Sequence, residues 1–100
     1  MREEQVAKQL GRNLWRARRR ADLSQEKLAA LCSLHRTEIG LLENGRRFPR
    51  VDTLIKLAFA LDVGAEELLR GIVWTLPAPQ REGSLSVETP LRGVGGYARQ

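Results

Sequence analysis

Gln25-Glu26-Lys27-Leu28-Ala29-Ala30-Leu31-Cys32-Ser33-Leu34-His35-Arg36-Thr37-Glu38-Ile39-Gly40-Leu41-Leu42-Glu43-Asn44 reads as two short helices joined by a tight turn. Leu28, Leu31 and Cys32 fall at i, i+3, i+4 and mark one helical face, while Ile39 and Leu42, three apart, mark another. Cys32-Ser33-Leu34 leaves room only for a turn, and the small side chain of Ala29 stands where the two backbones should cross.

Charge points the same way as this helix pair. The chain has 100 residues, a net charge of +5 and a pI near 10.3. Its first fifty residues hold 12 Lys/Arg against 6 Asp/Glu, and its second fifty hold 5 against 6. The positive excess therefore lies wholly in the half that contains the paired helices. A phosphate backbone would be drawn to that half. A solvated, arginine-rich helix surface accounts for the charge alone equally well.

Moving N-terminally, residues 3–20 carry an apolar stripe of Val6, Leu10, Leu14 and Ala17 and predict a long helix. Glu3 and Glu4 at its start and Arg18, Arg19 and Arg20 at its end suit the helix dipole. Gly11 should weaken it by up to about 1 kcal/mol relative to Ala. Trp15 falls off the stripe and reads as either a domain-edge contact or a partner contact. Ser24 is a good N-cap for the next helix, and Lys27 at the third position rules out a capping box. Gln25 then sits at a positive helix terminus, where a phosphate oxygen would be favoured.

Moving C-terminally, residues 36–44 form the second helix of the pair, with Gly45 as a left-handed terminus. Phe48 reads as a core anchor in a basic loop. Residues 51–61 form a largely buried helix through Leu54, Ile55, Leu57, Ala58 and Leu61, with Asp52 in its first turn. Gly64 caps a last helix over residues 65–70, with Leu68 and Leu69 inward. Residues 72–76 and 85–88 are strand-like, with Pro77, Pro79 and Gly83 between them, and can return as a hairpin. A lone hairpin is marginal in water and needs the helical core or a second subunit. From residue 89 on, glycine and few apolar residues predict disorder.

Leu14 and Arg18, then Leu23-Ser24-Gln25, Leu28-Ala29, Ile39, Leu42-Glu43-Asn44-Gly45, Pro49, Thr53-Leu54, Leu57-Ala58, Leu61, Val63 and Glu67-Leu68-Leu69 occur in one order. Over residues 10–71 this pattern resembles the lambda repressor and Cro-type helix-turn-helix regulators, also called the xenobiotic-response-element family. The resemblance implies an all-α, five-helix lambda-repressor-like DNA-binding domain over residues 1–71. A C-terminal extended arm or short β-hairpin for dimerisation (72–88) and a flexible tail (89–100) follow. It implies that residues 36–44 are a recognition helix for the major groove of double-stranded DNA, with His35, Arg36, Thr37, Gly40 and Leu41 facing the bases. Arg36 is the strongest candidate, because a guanidinium pairs bidentately with guanine O6 and N7. A phosphate contact is its alternative. Gln25, Asn44, Arg46, Arg47 and Arg50 are expected at phosphates. The resemblance also pairs Glu43 with Arg18, locking the first helix to the recognition helix. Two positions depart from the family pattern: His35 stands where a Ser or Thr cap is usual, and Gly40 where a short polar residue is usual.

The expected function is a sequence-specific transcription regulator, acting as a homodimer on a palindromic site. The alternative is an antitoxin-type protein whose residues 72–100 bind a protein partner. A domain this small is marginal alone, so dimerisation would help it. One histidine, one cysteine and the lack of a glycine-rich phosphate loop or catalytic triad argue against an enzyme, and no cofactor or metal is expected. A single cysteine excludes an intrachain disulfide; Cys32 reads as a buried thiol, with redox sensing as the alternative. No secretory signal is evident, and no apolar run approaches the ~20 residues that span a bilayer, so a cytoplasmic location and no membrane partner are expected.

Overall fold

The computed structural model describes residues 2–88, so the expected tail over 89–100 lies outside the described residues. Within them, helices α1 (Arg2–Arg20), α2 (Gln25–Cys32), α3 (Arg36–Glu43), α4 (Val51–Leu61) and α5 (Ala65–Leu68) precede strands β1 (Ile72–Thr75) and β2 (Ser84–Val87). Leu14, Leu28, Ile39, Leu42, Leu57 and Leu68 are fully buried and form the centre of one core with Ala17, Ala29, Cys32, Ala58 and Leu61. The helix-turn-helix pair α2–α3 thus packs against both α1 and α4.

Three helices end by the same device. Asp22, Ser33 and Asp62 take left-handed conformations (φ 60°, 56° and 58°), and each is followed by an apolar residue, Leu23, Leu34 or Val63. The N–H of that residue donates back into the helix it leaves: Leu23 to Arg18 O (3.2 Å), Leu34 to Ala29 O (2.9 Å), Val63 to Ala58 O (3.0 Å). All three side chains pack on the core. A non-glycine residue in this conformation costs about 1–2 kcal/mol; the recovered carbonyl and the buried apolar side chain offset it. Gly45 (φ 71°) closes α3 at no such cost, and the following Arg46 N–H donates to Leu41 O at 2.9 Å.

Gly11 is where α1 crosses the end of α3. A Cβ there would stand 2.5 Å from the carbonyl oxygens of both Leu42 and Glu43. The residue read as a weak point in α1 therefore permits the close approach that sets the pose of α3. Asn13, two residues on and buried, donates from Nδ2 to Leu68 O (3.0 Å) and Arg70 O (2.9 Å) and ties α1 to the end of α5. Beyond it, β1 and β2 pair antiparallel, Ile72 opposite Val87 and Trp74 opposite Leu85. The hairpin rests on α1, and Glu88 N–H closes its base on Gly71 O at 2.6 Å.

Four apolar residues expected in the core are not there. Leu31 lies outside the arc of Leu28, Ala29 and Cys32 that meets the core, and is exposed. Ile55 falls about 100° around α4 from Leu54 and is half exposed, since Thr53, Leu57, Ala58 and Leu61 already supply the buried face. Phe48 and Leu69 are also more than a third exposed. α5 is a single turn, Ala65–Leu68, so Leu69 is already its C-cap and only Leu68 points inward. Trp15 is exposed on one face, and Arg19 lies over its ring at 5.1 Å from the centroid, a cation–π contact on the surface of α1.

Candidate nucleic-acid interface

Ser24 caps α2, its side chain accepting from Lys27 N–H at 3.0 Å, which sets Gln25 as the first residue of that helix. α3 begins differently. His35 Nδ1 accepts the Thr37 N–H at 3.1 Å, so the imidazole does the work usually given to a hydroxyl or carboxamide. The residue expected to face the bases thus commits one ring nitrogen to the helix, and the remaining edge of the ring is exposed. Neutral imidazole has one acceptor nitrogen, and here it lies two residues ahead of a free helix N–H.

Ile39 and Leu42 turn α3 into the core, which leaves Arg36, Thr37, Gly40 and Leu41 on the outward side. These four, with Gln25, Asn44 and Arg46, line one shallow surface depression. No carboxylate lines it. The side chains of Arg36 and Arg46 have no hydrogen-bond or ion-pair partner among the described residues, and both are exposed. Seven of the ten residues expected at bases or phosphates are thereby brought to one place. His35 lines the adjoining depression with Glu26, Ala29, Ala30, Leu34 and Arg36. Arg47 and Arg50 stand apart and are ion-paired on the surface, Arg47 Nη1 with Glu38 Oε1 at 2.9 Å and Arg50 Nε with Asp52 Oδ1 at 3.3 Å.

One residue of the depression, Gln25, is tied to a buried ion pair outside its lining. Arg18 Nε and Nη2 donate to Glu43 Oε2 (2.6 Å) and Oε1 (3.0 Å), and Arg18 Nη1 donates to Leu23 O (2.8 Å). Both side chains are almost wholly buried. A bidentate fork of this kind fixes orientation as well as distance. Gln25 Nε2 joins it by donating to Glu43 Oε1 at 3.0 Å. One carboxylate therefore holds α1, the start of α2 and the end of α3 together. Nothing in the residue spacing singles out the Gln25 link, because it depends on how closely α2 and α3 approach over Gly40: a Cβ at Gly40 would sit 3.9 Å from Gln25 Oε1.

Cys32 is buried, and burial pushes its thiol above the ordinary value of 9.0, with Lys56 pulling weakly the other way. A buried, protonated thiol is a poor nucleophile. Among the described residues no group of three or more His, Cys, Asp or Glu could hold a metal ion, and no helix is long and apolar enough to cross a membrane.

Comparison with known proteins bears on the helix-turn-helix fold. Residues 9–70 match the family model described as a helix-turn-helix domain. Control protein C.BamHI of Bacillus amyloliquefaciens is 44% identical over 50 residues, half of this chain and 62% of that protein, so the match stops short of two thirds of its length. The uncharacterized HTH-type transcriptional regulator y4dJ of Sinorhizobium fredii is 42% identical over 64 residues, 64% of this chain and 83% of that protein. Among solved structures, the restriction-modification controller protein C.AhdI from Aeromonas hydrophila superposes with a TM-score of 0.60 at 39% identity, covering 62% of this chain and 94% of that one.

Proposed function

On the premise that the chain belongs to the helix-turn-helix domain family, which the match over residues 9–70 establishes, we propose that it is a transcription regulator that binds double-stranded DNA through α3. The observation that carries this reading is the carboxylate-free depression in which Arg36, Thr37, Gly40 and Leu41 meet Gln25, Asn44 and Arg46. α3 enters the major groove by its N-terminal half. Arg36, unpaired and exposed, reaches a guanine edge. Thr37 contacts a thymine methyl, and Gly40 and Leu41 allow close approach. The exposed edge of His35 lies beside these residues, within reach of the same bases.

Gln25, Asn44 and Arg46 take phosphates. Arg47 and Arg50 join them by exchanging Glu38 and Asp52 for phosphate oxygens, a trade between surface pairs that are individually worth little. Two copies acting together would place their α3 helices in successive major grooves, about 34 Å apart, and would select a roughly palindromic site.

Selection of bound fragments from a randomised duplex library tests this. The expected result is a two-fold symmetric motif whose binding weakens steeply with salt. Failure to retain duplex DNA of any sequence at low ionic strength would refute it.

A further inference from the structure

The Gln25 carboxamide is held by one end and open at the other. Nε2 donates to Glu43 Oε1 at 3.0 Å. Glu43 is ion-paired with Arg18, its side chain is only 4% exposed, and an ionised carboxylate accepts without donating. The amide must therefore turn its nitrogen to Glu43, which fixes which way round the group sits. Oε1 is left on the other side. It accepts from no group among the described residues and is not sealed from solvent. The group lies over Gly40, where a Cβ would stand 3.9 Å from Oε1 and 4.0 Å from Nε2, so α3 has no side chain at the point where Gln25 crosses it.

We propose that Gln25 Oε1 reads a base by accepting from an exocyclic amine, adenine N6 or cytosine N4, in the major groove; this deepens the DNA reading above and rests on it. Oε1 is an acceptor, as phosphate oxygens are, so the two do not pair. The second hydrogen on Nε2 is poorly placed for phosphate, because two bonds of about 3 Å from one nitrogen set the phosphate oxygen about 5 Å from the Glu43 carboxylate. The phosphate assigned to Gln25 falls instead to its main-chain N–H, one of those that open α2 without a partner inside the helix. On the major-groove edge guanine shows O6 and N7 and thymine shows O4, all acceptors, whereas adenine and cytosine each show an amine. Oε1 is repelled by the first two bases and satisfied by the others. A free glutamine would turn its amide over and accept either kind; the tie to Glu43 makes the choice one-way. Arg36 and Gly40 line the same depression about 6 Å apart along α3, so Gln25 addresses a different base from Arg36.

Competition binding of the full chain against single-base variants of the selected duplex tests this. One position per half-site, apart from that read by Arg36, should favour adenine or cytosine over guanine or thymine on the order of tenfold. Which of the two amine bases stands there distinguishes the sources. Replacing that adenine by purine, which lacks only the 6-amino group, or that cytosine by 2-pyrimidinone, which lacks only the 4-amino group, should cost the wild type a similar factor. Gln25→Met should bind the natural and the amine-free duplex alike, with its preference at the Arg36 position and its salt slope retained. A wild type indifferent to loss of the amine overturns the inference without recourse to any variant. So does Gln25→Met that weakens every sequence alike and lowers the salt slope, which would make the side chain a phosphate ligand. In both cases selective duplex binding through Arg36 persists, whereas a wild type that retains no duplex at low salt refutes the DNA reading itself.

Discussion

Arg18 on α1 grips both carboxylate oxygens of Glu43 at the end of α3, at 2.6 and 3.0 Å, and Gln25 at the start of α2 donates to the same carboxylate. A buried pair of this kind adds little net stability over an apolar replacement but is expensive to halve. Arg18→Met and Glu43→Leu should each lose about 3 kcal/mol in urea unfolding, and the double replacement should be more stable than either alone. Additive losses would show that the two residues do not act as a pair.

Gly11 separates two physical effects of opposite sign. Helix propensity alone predicts that Gly11→Ala stabilises α1 by about 1 kcal/mol. The crossing predicts the reverse, because the new methyl would meet the carbonyl oxygens of Leu42 and Glu43, which are backbone atoms and cannot swing away. We expect a loss of about 1–3 kcal/mol, the usual range for overpacking. A rise in thermal midpoint would show that α3 can shift away freely.

The His35 cap gives a third test. His35→Ala should lose about 1 kcal/mol through the unsatisfied Thr37 N–H, whereas His35→Asn should match or exceed the wild type. Equal stability of all three proteins in denaturant would mean that the imidazole contributes nothing to α3.

Cys32 predicts a pH dependence. Its thiol is raised above the ordinary 9.0 by burial. The unfolded state then loses its proton first as pH rises, so the contribution of the neutral buried thiol is complete below the ordinary value and is lost as pH climbs through the higher folded one. The stability advantage of the wild type over Cys32→Ala should therefore be constant near neutral pH and shrink above pH 9. A difference that grows with alkalinity would contradict the assignment of burial as the cause.

Most of the helical architecture is readable in the residues themselves, because each helix carries its own period and its own stop. Leu28 and Cys32, Ile39 and Leu42, Leu57 and Leu61 are repeated at helical spacing, and Ser24 and Gly45 mark ends by chemistry that is local. The left-handed exits at Asp22, Ser33 and Asp62 are harder to see, since the signal is spread over a polar residue and the apolar one after it. Leu31 and Ile55 show the limit of periodicity: on a short helix the apolar arc is wider than the buried one, and only the packing partner decides which edge stays wet. Within the candidate interface, the residues that cluster around α3 follow from helix geometry. The His35 cap and the Gln25–Glu43 link do not, because both depend on where one side-chain nitrogen comes to rest in three dimensions.

The most direct test of the central claim compares two arginines in competition binding against a panel of single-base variants of the selected site. If α3 reads bases through Arg36, then Arg36→Ala should relax preference at one position in each half-site, by about 1–3 kcal/mol, while Arg46→Ala weakens every site alike and lowers the salt slope. Uniform loss across the panel for Arg36→Ala, with the original base preferences intact, would contradict it.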